Sequence, residues 1–151
     1  MSAIYDVKNF QPSTSVGYLL NRVRSALLAA LDDELAAFDV TGAQYAIMAH
    51  LAFGMADSPS QICQVISYDP GAMTRMVDRL EAKGLIRRVP HPQDRRALNL
   101  ELTEEGRSTF PKLLERVVGV LNRFLRGFTK SEVRQLSDLL QRMLSNAEGK
   151  P

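Results

Sequence analysis

Two helix starts lie eleven residues apart in the stretch SPSQICQVISYDPGAMTRMVDRLEAKG, residues 58–84. Ser58 and Asp69 each carry a side-chain oxygen able to accept a hydrogen bond from a free amide at a helix start. Each is followed by proline, Pro59 and Pro70, whose fixed φ suits the first helical position and whose missing N–H costs nothing there. Ser58-Pro59-Ser60-Gln61 also fits the capping-box pattern. The first helix cannot run through Pro70, so it is short, with Ile62, Val65 and Ile66 as its expected buried face. In the second, Met73, Met76, Val77 and Leu80 repeat at helical spacing, and Gly84 is placed to stop it. A short helix, a tight turn and a longer helix make a helix-turn-helix.

The flanking sequence is also helical. From Val16 the apolar positions are Leu19, Leu20, Val23, Leu27, Leu31 and Leu35, preceded by an arm over residues 1–14 that is expected to be extended. Thr41-Gly42-Ala43-Gln44 is a second capping box, heading a helix with Tyr45, Met48, Leu51 and Ala52 on its apolar face. Thr103 can cap a long helix carrying Phe110, Leu113, Leu114, Val117, Leu121, Phe124 and Leu125, in which Pro111 and Gly119 are potential bends. Thr129-Lys130-Ser131-Glu132 starts the last helix. The first helix and the last two have more apolar surface than one thin layer can bury, and packing against a second copy of the chain resolves this.

Between the helices, residues 85–89 and 97–102 read as two short strands. Leu98, Leu100 and Leu102 alternate with Ala97, Asn99 and Glu101, which predicts the leucines on the core face. The joining loop holds Asp94, Arg95 and Arg96. A hairpin behind a helix-turn-helix is a wing, so the fold expected is mainly α with a small β-hairpin wing: a winged helix-turn-helix domain flanked by N- and C-terminal dimerisation helices. The expected division is residues 1–38 for the arm and first dimerisation helix, 39–103 for the DNA-binding domain and 104–151 for the C-terminal dimerisation helices, within one compact chain.

Charge agrees with this assignment. The whole chain carries a formal charge of only +2, yet residues 70–96 hold seven basic side chains against three acidic ones. That local excess marks the helix-turn-helix and its wing as the surface for an anionic partner. The second helix enters the major groove in such motifs. Its start, Pro70, Gly71 and Ala72, is small enough for close approach to phosphates and base edges and offers free amides to a phosphate. Thr74, Arg75, Asp78 and Arg79 fall away from the apolar face, and Arg75 suits a bidentate contact to guanine O6 and N7.

The series TGAQYAIMAHL, then SPSQICQVISYDPGAMTRMVDRLEAKGLIRR, then HPQDRRALNLELTEEG resembles the winged-helix domain of the MarR family of bacterial transcriptional regulators. The flanking helices have the lengths of that family's dimerisation region, so the resemblance covers nearly the whole chain. It implies a homodimer on palindromic double-stranded DNA with half-sites about one helical turn, roughly 34 Å, apart. It also implies Thr74 and Arg75 on major-groove positions, Arg95 or Arg96 inserted in the minor groove, and Asp94 as the brace of the inserted arginine.

In that family a small aromatic acid or phenol commonly releases the DNA, which points to a repressor with an aromatic carboxylate or phenol as its inducer. Arg22 and Arg24 on the first helix can pair with a carboxylate, and Tyr45 and His50 on the second can hydrogen-bond a phenol. Two readings compete. One is a redox-responsive regulator acting through Cys63, the single cysteine, although the best-known redox branch carries its cysteine near the start of the first helix, where this chain has none. The other is a winged-helix protein-interaction module that does not bind DNA. There is no nucleophile motif, glycine-rich phosphate loop or metal-ligand spacing, so neither enzyme activity, cofactor nor metal is expected. A lone cysteine and the absence of a signal-peptide pattern or membrane-length apolar run lead us to expect a cytoplasmic protein.

Overall fold

The computed structural model describes residues 3–66 and 68–149. The outer ends of the expected arm and of the C-terminal region, residues 1–2 and 150–151, lie outside the described residues. Among the described residues, six α-helices and one hairpin run in the order α1 (Val16–Leu35), α2 (Gly42–Ala52), α3 (Pro59–Ile66), α4 (Pro70–Ala82), β1 (Ile86–Pro90), β2 (Leu98–Leu102), α5 (Glu104–Phe124) and α6 (Lys130–Ala147). The strands pair antiparallel, with Ile86 opposite Leu102 and Pro90 opposite Leu98.

Most helix starts follow from the capping residues. Thr41 and Gln44 form the reciprocal capping box of α2, as Thr129 and Glu132 do for α6. There the Thr129 backbone amide, and then its hydroxyl, donate to Glu132 and hold its carboxyl below the usual carboxylate range. Asp69 Oδ1 accepts the Ala72 N–H at 3.0 Å, and Ser58 Oγ accepts that of Gln61 at 3.2 Å. Gly84, at φ +70°, turns the chain out of α4 in the left-handed region that glycine adopts without penalty. α5 continues through Pro111.

Contacts divide the chain into two compact units, Met1–Val120 and Leu121–Pro151. The first holds one core in which Leu35, Ile47, Met48, Ile62, Leu80, Ile86, Leu113 and Val120 are almost wholly buried. This core takes Leu31 and Leu35 from α1 and Phe110, Leu113, Val117 and Val120 from α5. The N-terminal half of α1 is different: Val16, Leu19, Leu20 and Val23 are exposed. In the second unit, α6 buries no residue, and Leu136, Leu139, Met143 and Leu144 lie open.

Four expectations need correction. The arm is not extended. It forms two 3-10 turns, Val7–Asn9 and Pro12–Thr14, drawn back because the Tyr5 hydroxyl accepts the Val16 N–H at 2.9 Å while its ring meets Phe10 edge-on. The first strand is one residue later than read, because Leu85 serves the turn: its N–H bonds Leu80 O and its carbonyl accepts from Thr103. Val65 is 65% exposed, because α3 buries only the stripe through Ile62 and Cys63. Along β2 the alternation holds for Leu100 and Leu102, but Leu98 is 48% exposed and Asn99 only 8%. Leu98 lies toward the wing tip, beyond the core, whereas Asn99 is covered by the segment before α3: its Nδ2 donates to Asp57 Oδ2 at 3.1 Å, and the Leu100 N–H donates to Asp57 O at 2.7 Å.

Gly106 marks the tightest packing at the base of the wing. A Cβ there would overlap the carbonyl oxygen of Leu85, which already accepts the Thr103 N–H. Gly106→Ala should therefore cost at least about 1–3 kcal/mol of folding stability by overpacking, read as a lower urea midpoint with an unchanged slope.

Candidate nucleic-acid interface

α4 presents two faces because its apolar stripe is fixed. Met73, Met76, Val77 and Leu80 are buried, each contributing roughly 1.5–3 kcal/mol relative to exposure. That leaves Pro70, Gly71, Thr74, Arg75, Asp78 and Arg79 exposed, with Ala72 half-buried between the faces. Thr74 Oγ1 donates to Pro70 O at 2.9 Å, which frees its acceptor lone pairs toward solvent. A Cβ at Gly71 would stand 3.1 Å from Asp69 Oδ1, the oxygen that caps α4, and 3.4 Å from Arg75 Nη1.

The turn before α4 is pinned by Cys63. Its thiol is buried and donates to Tyr68 O at 2.9 Å, while the Tyr68 N–H returns to Cys63 O at 3.4 Å. In this position the sulfur packs α3 and fixes the entry to α4.

Ion pairs sort the seven basic side chains of residues 70–96 into two groups. Lys83 pairs with Asp39 at 3.3 Å and also donates to the Asp39 carbonyl, which sits in the left-handed region at φ +53°. Arg87 pairs with Glu101 across the hairpin. Arg88 reaches both Asp78 and Glu81 at 2.5 Å, and the hydrogen bond to Asp78 foremost pushes its pKa up. Among the described residues, Arg75, Arg79, Arg95 and Arg96 form no ion pair. The unneutralised charge therefore lies on the exposed face of α4 and on the wing tip.

The tip is built by local hydrogen bonds. His91 Nδ1 accepts the N–H groups of Gln93 and Asp94, each at 3.1 Å. Asp94 Oδ1 accepts the Arg96 N–H at 2.9 Å, and the Ala97 N–H donates to Asp94 O at 3.1 Å. Asp94 thus holds the Arg96 backbone, and both guanidinium groups remain exposed. Sequence reasoning gave His91 no role in the wing; the signal was an imidazole two and three residues before the amides that need an acceptor.

The four ligand candidates lie on two helices, Arg22 and Arg24 on α1 and Tyr45 and His50 on α2. Arg22 donates to the Tyr18 hydroxyl at 3.1 Å and lies over its ring, and Arg24 is exposed on the same helix. Tyr45 stacks on Phe110 with centroids 5.7 Å apart, Phe53 meets Phe110 edge-on, and burial pushes the Tyr45 hydroxyl pKa up. His50 Nδ1 is satisfied by Ala46 O at 2.7 Å. A cleft of about 610 Å³ lined by Leu51, Met55, Asn99 and Arg107, among others, includes none of the four. No group of three or more His, Cys, Asp or Glu among the described residues is arranged to hold a metal ion, and no helix among them is long and apolar enough to cross a membrane.

A family model described as "MarR family" matches residues 38–97, the span from the end of α1 to the wing tip. The multiple antibiotic resistance protein MarR of Escherichia coli (strain K12) is 31% identical over 136 residues, covering 89% of this chain and 94% of the relative. The chain belongs to the MarR family. The transcriptional repressor MdtR of Bacillus subtilis is 30% identical over 134 residues, 89% of this chain and 84% of its own length. Among solved structures, a mutant of E. coli MarR complexed with operator DNA matches with a TM-score of 0.77 and 29% identity, over 93% of this chain and 99% of that one. CouR of Rhodococcus jostii RHA1 bound to p-coumaroyl-CoA matches with a TM-score of 0.77 and 30% identity, over 88% and 94%. The fold is that of MarR winged helix-turn-helix regulators, and the mainly helical architecture with one hairpin read from the sequence is borne out.

His91→Ala should change global stability by only about 0.5–1 kcal/mol, because half-buried His91 shapes the wing loop and is not part of the core. It should speed hydrogen exchange at the Gln93 and Asp94 amides, measured by NMR.

Proposed function

We propose that this protein is a homodimeric, sequence-specific DNA-binding repressor acting in the cytoplasm and released by a small aromatic carboxylate or phenol. The observation that carries the DNA reading is the segregation of charge: three of the seven basic side chains are neutralised within the fold, and the four left unpaired lie on the outward face of α4 and the wing tip. In this reading Pro70, Gly71 and Ala72 approach the phosphate backbone, and Thr74, Arg75 and Arg79 enter the major groove. Arg95 or Arg96 reaches the minor groove from a tip shaped by Asp94. The MarR–operator complex supports it, being a relative of the same fold on DNA.

The dimer is supported by apolar surface that one chain leaves open: the N-terminal half of α1, and α6 with nothing buried. Patches of this kind mark interaction surfaces, and a two-fold partner is the commonest occupant. Residues 1–38 and 104–151 supply that interface and residues 39–103 the DNA contacts. Two reading helices related by two-fold symmetry select palindromic half-sites about one helical turn apart. Repression is proposed by analogy with MdtR. The inducer class is proposed from the p-coumaroyl-CoA complex of CouR and from the aromatic pair of half-buried Tyr45 and buried Phe110. A carboxylate would be met by Arg22 or Arg24 and a hydroxyl by His50 or Tyr45.

Selection of duplexes from a randomised pool, followed by fluorescence anisotropy, tests this. The wild-type chain should enrich a palindrome, and no enrichment at low salt would refute the reading. Arg75→Ala should weaken binding to the selected duplex by about 1–3 kcal/mol and relax preference at one position of each half-site. The double substitution Arg95→Ala and Arg96→Ala should weaken binding evenly across sequences.

A further inference from the structure

Arg88 is the one wing arginine that turns back onto the reading helix. It stands at the middle of β1, opposite Leu100. Nη2 donates to Asp78 Oδ1 and Nη1 to Glu81 Oε1, both at 2.5 Å, and the second oxygen of Glu81 accepts the Arg88 backbone N–H at 3.0 Å. Asp78 and Glu81 are three residues apart, so both carboxylates project from one side of α4. Two carboxylates on a helix that approaches phosphates would repel DNA if left free. Here a single forked guanidinium takes up both, and the fork fixes direction as well as charge. The Arg88 side chain is 28% exposed and that of Asp78 58%, so solvent screens the attraction and little stability is expected from it. What the three bonds hold constant is the placement of β1, and so of the wing, relative to α4.

We propose that Arg88 is a positioning residue for DNA recognition: by clamping Asp78 and Glu81 it sets the wing at the angle at which α4 and the wing tip engage one duplex together. This inference rests on the DNA-binding reading above. Arg88 touches no base or phosphate in this account and acts through the placement of Arg95 and Arg96.

The test uses the full chain and a duplex that the wild type has enriched from a randomised pool. Affinity is read by fluorescence anisotropy and groove occupancy by hydroxyl-radical and methylation protection. Arg88→Lys keeps the charge but loses the fork. It should weaken binding about tenfold and lose the minor-groove protection of the wing, while guanine protection under α4 remains. The double substitution Asp78→Asn and Glu81→Gln makes each chain more positive by two charges, which by electrostatics alone would tighten binding. Positioning predicts that it weakens binding, with the same loss of wing protection, and that adding Arg88→Lys brings no further loss. Tighter binding by the Asn/Gln variant, or an unchanged wing footprint for Arg88→Lys, overturns the proposal. Should Arg88→Lys unfold, the Asn/Gln variant decides alone, since both carboxylates are substantially exposed. Failure of the wild type to enrich any duplex removes the DNA-binding reading and this inference with it. Wild-type binding with unaffected variants removes this inference only.

Discussion

The buried stripe of α4, Met73 to Leu80, decides which side chains that helix displays. Once Met73, Met76, Val77 and Leu80 enter the core, the 3.6-residue period leaves no choice about which side chains face out. Thr74, Arg75 and Arg79 are displayed because their neighbours are held, and the holding is strong: four buried apolar side chains together outweigh any single surface interaction several-fold. Asp69 and Cys63 complete the arrangement at the entry to the helix, one capping its first turn and the other tying the preceding turn to α3. Gly84 and Gly106 complete it at the exit, where the chain must turn sharply and α5 must pass against Leu85.

Charge is arranged on that frame by pairing as much as by placement. A basic excess alone says little about where a polyanion would bind. In this fold Lys83, Arg87 and Arg88 are taken up by Asp39, Glu101, Asp78 and Glu81, and their work is internal: the end of α4 to the turn after α1, strand to strand, and strand to α4. Such half-exposed pairs add little to stability, about 0–1 kcal/mol each. They do decide which cations stay free.

Much of this was legible in the sequence, because caps and periods are local. Thr41 with Gln44, Asp69 with Pro70, Gly84, and Thr129 with Glu132 each announce an element boundary within a few residues, and the structure keeps them. What was not legible depends on partners distant in sequence. The burial of Asn99 requires Asp57, forty-two residues away. The exposure of Val65 and Leu98 follows from where the core ends, which no local period encodes. Arg88 counted as one more basic residue until its carboxylate partners, seven and ten residues back on α4, were in view. His91 looked idle because the acceptor role of one ring nitrogen is a matter of loop geometry. Side-chain chemistry alone marks Arg22, Arg24, Tyr45 and His50 as ligand candidates, and two of them, Arg22 and His50, are occupied within their own helices.

If the unpaired arginines of α4 and the wing meet a polyanion, binding depends steeply on salt concentration. Each phosphate neutralised on a duplex contributes about −0.9 to the slope of log K against log salt concentration. With Arg75, Arg79, Arg95 and Arg96 engaged on both subunits of a dimer, the slope for the wild-type chain on its selected duplex should fall between about −4 and −7. A slope flatter than about −2 would mean that these side chains do not carry the interaction.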